Sequence, residues 1–418
     1  MPRPLHLAQS AELLQTILSG QAPADKQMER YFRAHRAMGV QDRAQVAETV
    51  YACLRHRRLL EHLAQSSDAA ALVAAHWLRE GVSARVLEQG GFGGDCRALA
   101  ARVHTTDITA LPFAVRASLP DWLGERLVVQ YGVDEAAALA QALNRPAPVD
   151  LRVNTLKTKP EELEHQLAAA GFACDPTPYS PSGLRLRERA SVFRTALFRD
   201  GLFEVQDEGS QIVSFLLEPR RGEMIVDFCA GAGGKTLHLG ALMANTGTLY
   251  AFDTAAARLE RLAPRLRRAG LSNVRAVVLA HERDARAQRL YGKIDKVLVD
   301  APCSGTGTLR RNPDIKWRAI DLPALVDAQR RILAAAAPLL KPGGRLVYAT
   351  CSLLAEESEA VVAEFLAAHP DYRLVPAGPV LARRHIALDA APDGSLRLHP
   401  HRHGTDGFYA AILSRASG

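Results

Sequence analysis

From about residue 201 to the C-terminus, the chain repeats one pattern: an apolar strand, a short loop, and a helix. Strands are predicted at 224–228, 248–252, 274–279, 294–299 and 345–349, and helices at 235–244, 255–269, 322–340 and 355–368. This alternation is typical of an α/β domain in which helices cover both faces of a parallel sheet. Ligands of such sheets bind beyond the carboxyl ends of the strands, so functional residues are expected there.

The first 200 residues lack this repeat and predict two further domains. Up to about residue 115, apolar residues recur at helical spacing, and the next stretch combines two predicted strands with one helix. A chain of 418 residues has room for two or three domains. The predicted domains are 1–115 (all-helical), 116–200 (a small α/β unit) and 201–418 (the strand–helix repeat).

Basic residues outnumber acidic ones, with 52 Lys and Arg against 45 Asp and Glu, which gives a net charge of +7. A positive balance favours a polyanionic partner. Arginines concentrate at Arg55, Arg57 and Arg58, while Arg185 and Arg187 share one face of a predicted strand. Two interpretations stay open for both groups: a solvated surface, or a surface that contacts RNA.

Charge and cysteine patterns also exclude several classes of protein. No stretch is apolar for long enough to cross a bilayer, and the N-terminus shows no secretion signal. We therefore expect a cytoplasmic protein without a membrane partner, and a monomer by default. The six cysteines include no Cys-x-x-Cys pair, so no metal site is expected.

The first strand of the repeat leads into a loop of small residues at 227–236 (DFCAGAGGKT). A nucleoside-triphosphate loop needs glycine where Cys229 stands, and Gly231, Gly233 and Gly234 lack the spacing of a dinucleotide fold. The third interpretation is a methyltransferase loop. Its glycines and the next helix N-terminus would cradle the amino-acid end of S-adenosylmethionine.

Acidic residues follow the next two strands. Asp253 ends the second strand, where an acid accepts hydrogen bonds from ribose hydroxyls, although it would also serve as a cap for the next helix. Asp284 follows the third strand and is a candidate contact of the adenine amino group, with a polar surface loop as the alternative. Both acids are candidate cofactor contacts.

Two cysteines lie just beyond the ends of the fourth and fifth strands. Cys303 follows Asp300 in the segment 299–307 (VDAPCSGTG), and Cys351 lies in the segment 348–352 (YATCS). Most free thiols in a cytosolic protein are inert core residues. Two thiols at neighbouring strand ends beside one cofactor cleft favour a chemical role instead.

Such a pair suits methylation of carbon 5 of cytosine, which is a poor nucleophile. A thiolate that adds to carbon 6 makes carbon 5 enamine-like and divides one difficult step into easier ones. An acid such as Asp300 would hydrogen-bond the ring N3 or the exocyclic amine as charge moves there. Afterwards the carbon 5 proton must leave and the thiol must be expelled.

Residues 201–418 resemble the RNA cytosine-C5 methyltransferases of the NOP/Sun type. The motifs that carry the resemblance are 205–210 (VQDEGS), 227–236 (DFCAGAGGKT), 300–307 (DAPCSGTG), 313–317 (PDIKW), 349–352 (ATCS) and 403–409 (HGTDGFY). The resemblance implies a Rossmann-like, class I methyltransferase domain with S-adenosylmethionine as cofactor. The preceding region is similar to bacterial members that modify small-subunit ribosomal RNA. Those members carry a helical domain like that of the antitermination factor NusB, followed by a small α/β RNA-binding unit.

The resemblance also implies roles for individual residues. Cys351 would be the nucleophile, Cys303 would assist release of the methylated RNA, and Asp300 would act beside them. The implied cofactor contacts are Cys229, Ala230, Gly231, Ala232, Gly233, Gly234, Lys235, Asp253, Asp284 and Asp300. Many members have Ala-Pro where this chain has Gly231 and Ala232, and the absence of proline is expected to loosen the loop.

The sequence thus predicts methylation of carbon 5 of a cytosine in RNA, with small-subunit (16S) ribosomal RNA as the expected substrate. Two alternatives stay open. Transfer RNA would be the substrate of the same chemistry. A non-catalytic, RNA-binding factor of ribosome assembly would rely on the helical region and would not need the cofactor.

Overall fold

The structure is a computed structural model that describes residues 3–20 and 22–417. The described residues form two compact units. The first unit contains residues 3–20, 22–146 and 308–320, and the second contains residues 147–307 and 321–417. None of the helices in the described ranges combines the length and the apolar character that a membrane span requires.

The first unit is helical. Its helices are α1 (Pro4–Ser19), α2 (Ala24–Ala34), α3 (Val40–Ala64), α4 (Ala69–Arg79), α5 (Ala84–Gln89), α6 (Cys96–Thr105), α7 (Phe113–Arg116), α8 (Asp121–Tyr131) and α9 (Val133–Leu143). Helix α3 contains neither proline nor glycine, and it kinks at His56 (φ −109°, ψ 16°). It packs with α1 and α4 around a core that includes Leu13, Leu54, Leu60 and Trp77, all buried.

Residues 308–320 also belong to the helical unit, although in sequence they lie between two segments of the second unit. The turn Pro313–Trp317 packs on α3. Lys316 is buried and donates hydrogen bonds from Nζ to two backbone oxygens, while Trp317 donates from Nε1 to Leu54 O (2.7 Å). The compact units therefore follow boundaries other than 115/116 and 200/201, and the three-part division by sequence stays a prediction.

The second unit begins with a small α/β layer. Its elements are β1 (Asp150–Val153), α10 (Pro160–Ala169), β2 (Cys174–Pro176), β3 (Gly183–Leu186), α11 (Ala196–Arg199) and β4 (Phe203–Val205). The strands form an antiparallel sheet in the order β2-β3-β1-β4. Leu151, Val153 and Phe203 of the strands pack with Leu163 of α10 in a separate apolar core.

A larger sheet dominates the second unit. Its elements are α12 (Glu208–Leu216), β5 (Met224–Asp227), α13 (Gly234–Leu242), β6 (Thr248–Asp253), α14 (Ala256–Ala269), β7 (Val274–Val278), α15 (Ala285–Gln288), β8 (Ile294–Asp300), α16 (Leu322–Ala336), β9 (Leu340–Thr350), α17 (Glu359–Ala368), β10 (Tyr372–Val375), α18 (Ala377–Ala382), β11 (Leu396–Leu398), α19 (Pro400–His403) and β12 (Phe408–Arg415). The strand order is β10-β12-β9-β8-β5-β6-β7, and β11 pairs with β12.

The larger sheet confirms the predicted α/β fold. Strands β5 to β9 run parallel, as the strand–helix repeat predicts. Successive residues alternate between two apolar cores: Val226 and Val297 lie in one, and Ile225 and Leu298 lie in the other. Both faces of the sheet are therefore buried, which is typical of parallel sheets. Strand β12, which the sequence analysis did not predict, runs antiparallel between β9 and β10.

The arginines whose role the sequence left open are engaged within the fold. Four of them form ion pairs: Arg57–Glu61, Arg58–Asp121, Arg185–Asp150 and Arg187–Asp175. Arg55 is buried in the helical unit. Asp150 is fully buried, so loss of Arg185 would leave a buried charge unpaired and would destabilise the fold. The Arg187–Asp175 pair is exposed and contributes little to stability. Neither group is a set of unpaired cations facing solvent.

Candidate active site

A cavity of about 630 Å³ opens at the carboxyl ends of β5, β6 and β8. Apolar residues such as Phe228 and Leu279 line it together with the acids Asp253, Glu282 and Asp300. The volume is that of a typical small-molecule site. An apolar wall suits an adenine ring, and carboxylates suit ribose hydroxyls and a positively charged group. The lining therefore fits S-adenosylmethionine.

The loop between β5 and α13 forms one side of this cavity. Arg265 Nη1 donates a hydrogen bond to Ala232 O (2.6 Å), and Arg152 Nη1 donates to Gly234 O (2.6 Å). Arg152 comes from β1 of the small sheet, so that sheet supports the cavity wall. The two guanidinium groups restrain the loop at Ala232, where many members of the resembling family have proline, and at Gly234.

Asp253 combines the two roles that the sequence left open. It lines the cavity. Its Oδ2 accepts a hydrogen bond from the Gly231 N–H (2.9 Å), and its Oδ1 accepts one from the Ala255 N–H (2.7 Å) just before α14. The carboxylate thus holds the glycine loop against the end of β6 and still borders the space for a ligand.

Asp284 caps α15, a role that the sequence analysis did not consider for it, and it is not among the residues that line the cavity. Its Oδ1 accepts from the Arg286 N–H (2.8 Å), and its Oδ2 accepts from the Ala280 N–H (2.7 Å). The Arg286 side chain pairs with the same carboxylate and lowers its pKa. Glu282, two residues earlier, is the acid of this loop that lines the cavity.

Most of the other predicted cofactor contacts do line the cavity. They are Cys229, Ala230, Gly231, Ala232, Gly234, Lys235 and Asp300. Gly233 is not among them. It caps α13 at φ +87°, and a Cβ there would lie 2.1 Å from Leu262 Cδ1. Its function is therefore to make the turn rather than to face the ligand.

Asp227, at the end of β5, is a buried acid beneath the loop that the sequence analysis did not single out. Its Oδ2 accepts a hydrogen bond from Thr236 Oγ1 (2.7 Å), and its Oδ1 has no partner among the described residues. Burial raises the pKa of this carboxyl to about 7. The alternating strand pattern could not reveal this, because the acid ends an otherwise apolar strand as Asp253 and Asp300 do.

Lys235 and Asp300 form an ion pair at the inner edge of the cavity. Lys235 Nζ lies 2.8 Å from Asp300 Oδ2 and 5.1 Å from the centre of the Phe408 ring. Lys235 is buried, and the Asp300 carboxylate counteracts the effect of burial and raises the pKa of the ammonium. Lys235 therefore stays charged at neutral pH.

The two cysteines predicted at neighbouring strand ends meet. Cys303 Sγ lies 3.4 Å from Cys351 Sγ, and both side chains are half-buried. Hydrogen bonding to Cys351, followed by burial, raises the pKa of the Cys303 thiol well above its ordinary value. The Lys235 ammonium also interacts electrostatically with Cys351. Cys303 therefore keeps its proton at neutral pH, within hydrogen-bonding distance of the Cys351 sulfur.

A fully buried carboxylate, Glu357, holds the two cysteine loops together. Ser304, next to Cys303, donates to it from the backbone N–H (2.8 Å) and from Oγ (2.5 Å). Ser352, next to Cys351, donates from Oγ (2.5 Å), and Gln329 donates from Nε2 (2.9 Å). The distance between the sulfurs thus depends on an acid that the sequence analysis did not identify.

Two family models match the chain. Residues 214–414 match the 16S rRNA methyltransferase RsmB/F model, and residues 119–193 match the ferredoxin-like domain of RsmF/B-like methyltransferases. The probable ribosomal RNA small subunit methyltransferase B of Synechocystis sp. is 36% identical over 302 residues, which cover 72% of this chain and 67% of that protein.

Solved structures agree with the sequence matches. The crystal structure of PH0851 has a TM-score of 0.80 and 28% identity over 99% of both chains. A methyltransferase homolog protein from Pyrococcus horikoshii has a TM-score of 0.62 and 32% identity over 72% of this chain and 97% of that one. The sheet, the cavity and these matches define an S-adenosylmethionine-dependent methyltransferase with a Rossmann-like fold. Within that class, the chain belongs to the RsmB/F family, which confirms the resemblance seen in the sequence.

Proposed function

We propose that the protein methylates carbon 5 of a cytosine in small-subunit ribosomal RNA through a transient bond between Cys351 and carbon 6. The approach of the Cys303 and Cys351 sulfurs to 3.4 Å, beside the Lys235–Asp300 pair, carries the proposal. The name of the Synechocystis relative, a probable methyltransferase of the ribosomal small subunit, supports the choice of RNA.

The resemblance to the NOP/Sun methyltransferases assigns the nucleophilic role to Cys351. A thiolate, not a thiol, attacks carbon. The Cys303 sulfur lies 3.4 Å from Cys351 Sγ, and the Lys235 ammonium interacts electrostatically with Cys351, so a thiol and a cation border the proposed nucleophile. The Cys351 thiolate adds to carbon 6, and the electron pair of the carbon 5–carbon 6 bond moves towards carbon 5 and the ring.

Asp300 is the group that faces the pyrimidine ring in this proposal. A protonated Asp300 would donate its proton to N3 as negative charge moves into the ring, whereas an ionised Asp300 would accept a hydrogen bond from the exocyclic amine and orient the base. Lys235 holds the Asp300 carboxylate in place. S-adenosylmethionine, held by the glycine loop, Asp253 and neighbouring residues, supplies the methyl group on a positively charged sulfur.

Release of the product needs a base and a leaving group. Once Cys351 is bonded to carbon 6 it carries no charge, so the first cause of the raised pKa of Cys303 disappears. Cys303 can then release its own proton to solvent, and the resulting thiolate accepts the proton from carbon 5. The electrons of that C–H bond re-form the double bond as Cys351 leaves as a thiolate.

Incubation with labelled S-adenosylmethionine and unmodified small-subunit ribosomal RNA tests the proposal. We expect the native protein to form 5-methylcytosine, Cys351→Ala to form none, and Cys303→Ala to accumulate a protein–RNA adduct that resists denaturation. Cys174→Ala is the matched control, because Cys174 is a buried thiol of the small sheet.

The proposal fails if Cys351→Ala still incorporates methyl groups, or if the methylated position is not carbon 5. Transfer RNA in place of ribosomal RNA serves as the substrate control. Preferential methylation of transfer RNA would mean that transfer RNA is the substrate of the same reaction. RNA binding without affinity for S-adenosylmethionine would favour the non-catalytic assembly factor.

A further inference from the structure

The helical unit contains a second cavity, of about 560 Å³, whose lining includes three arginines and no acidic residue. Arg79 ends α4, Arg116 ends α7, and Arg145 follows α9. Three like charges around one cavity repel each other, and a bound anion would relieve that repulsion. We name this space the arginine cavity.

Two of these arginines lack partners of their own. No hydrogen bond or ion pair joins the guanidinium of Arg79 or Arg145 to another residue within 3–20 and 22–417. Burial lowers the pKa of Arg79, although the neighbouring Glu80 partly compensates. Arg116 makes one contact, from Nη1 to Thr109 O (3.1 Å). Planar guanidinium groups with free N–H donors are the groups that bind phosphate best in proteins.

The pKa of His56, at the kink of α3, indicates that the electrostatic potential in the arginine cavity is positive. Its ring lines the arginine cavity, and the charged or titratable groups that act on it are Arg79, Lys316, His76 and Arg55. Burial, together with these basic groups, lowers the pKa of His56 to about 3. The imidazole is therefore neutral and can donate one hydrogen bond. The surroundings favour a negative charge.

The remaining wall of the arginine cavity is apolar. Leu59, Ile108 and Phe113 line it together with several alanines. A nucleobase has a flat apolar face that stacks on aromatic side chains. A site with phosphate-binding cations on one side and a stacking wall on the other suits a single unstacked nucleotide rather than a duplex.

We propose that the arginine cavity binds one nucleotide, with its phosphate on Arg79, Arg116 and Arg145 and its base against Phe113. The proposal rests on the proposed function in one respect, since it identifies this nucleotide as part of the single-stranded RNA substrate. A free nucleotide would satisfy the same chemistry, and the experiment separates the two sources.

Calorimetric titration of the full chain, saturated with S-adenosylhomocysteine to occupy the cofactor site, tests the arginine cavity. The probes are uridine, uridine 5′-monophosphate and a single-stranded uridylate hexamer. We expect uridine to bind at least about tenfold more weakly than the monophosphate, because a charge-assisted contact is lost. The hexamer should bind more tightly than the monophosphate and displace it.

Arg79→Gln and Arg145→Gln should each weaken hexamer binding by about tenfold and should lower the slope of log K against log[salt] by about 0.7. Arg85→Gln is the matched control, because Arg85 is exposed on α5 and outside the cavity, and its affinity should stay within about twofold of the native protein. Arg145 is exposed, so its substitution does not threaten the fold.

Native affinity in both arginine variants would overturn the proposal. Tight binding of the monophosphate that the hexamer does not displace would overturn the assignment to RNA. Because binding is measured without methyl transfer, absence of 5-methylcytosine alongside normal binding would count against the proposed function and not against this site.

Discussion

Glu357 shows how a residue can control the site without touching it. The stretch 355–359 (AEESE) has three acids in five residues, which is typical of a solvated helix start. The structure buries the middle acid completely and leaves the other two half-buried. Four donors meet its two oxygens, so the carboxylate is satisfied despite burial. Local sequence could not predict this, because the donors come from 304, 329 and 352.

Replacement of Glu357 by glutamine should therefore slow catalysis without lowering the affinity for the cofactor. The amide has one accepting oxygen and places an NH₂ group against donors, which leaves a buried donor unsatisfied and shifts the cysteine loops. We expect kcat to fall at least about tenfold, since a displacement of about 1 Å has such effects. The Kd for S-adenosylmethionine should stay within about twofold, because Glu357 does not line the cavity.

Calorimetry for cofactor binding and single-turnover methylation for kcat check this separation, with Glu364→Gln as the control at an exposed acid. An equal loss of cofactor affinity would show that Glu357 supports the whole unit rather than the cysteine loops.

Asp227 predicts a pH dependence of stability. Its pKa is about 7 in the folded protein and 3.8 ordinarily, so between these values the folded state binds a proton that the unfolded state lacks. Its contribution to stability is complete below pH 3.8 and is lost as the pH rises to about 7. From pH 5 to pH 8, Asp227→Asn should gain about 2–3 kcal/mol relative to the native protein.

Chemical denaturation at several pH values measures this difference. Asp200→Asn, at an exposed acid, should show no such trend. A constant difference between Asp227→Asn and the native protein across this range would mean that Asp227 is ionised in the fold and compensated by Lys235.

Strands β5 to β9 were predictable because a parallel sheet buries both faces and each strand is followed by a helix, so apolar runs and helical runs alternate along the chain. Strand β12 breaks this rule. Residues 408–415 (FYAAILSR) follow a loop instead of a helix of the repeat, and all but the last two are buried. Nothing in that local pattern indicates that the strand enters between β9 and β10.

The sequence was sufficient to predict that the glycine loop before α13 is a cofactor loop, but not which residues hold it in place. Its small residues indicate a cofactor turn, whereas the two arginines that hold its carbonyl oxygens are distant in sequence. Arg152 lies 82 positions before Gly234, and Arg265 lies 33 positions after Ala232. Pairings over such distances follow from the tertiary fold and leave no periodic trace in the sequence.

Two glycines of this loop should respond differently to alanine. Gly233 combines φ +87° with a Cβ position 2.1 Å from the buried Leu262, whereas Gly231 has φ +57° and open space around it. Gly231→Ala should cost about 1 kcal/mol of strain, and Gly233→Ala about 2–3 kcal/mol, because the Leu262 side chain must also move. Thermal melting without cofactor measures both, and equal losses would mean that Leu262 yields freely.

The division into two units has a consequence for spectroscopy. Residues 308–320 carry Trp317 into the helical unit, which also contains Trp77 and Trp122. These are the three tryptophans of the chain. Intrinsic tryptophan fluorescence therefore follows the unfolding of the helical unit alone, although residue 317 lies in sequence between two segments of the other unit. Sequence position could not predict this, because only packing decides which core a segment joins.

S-adenosylmethionine should therefore separate two unfolding transitions. The residues that line its cavity all belong to the second unit, so the ligand stabilises that unit by about 2.7 kcal/mol at 100 times its Kd. For a unit of this size we expect its Tm in calorimetry to rise by roughly 5–10 °C. Because no ligand contact is expected in the helical unit, the midpoint followed by tryptophan fluorescence should move by less than about 1 °C. An equal shift by both methods would show that the two units unfold as one cooperative body, and that the compact units are not thermodynamic ones.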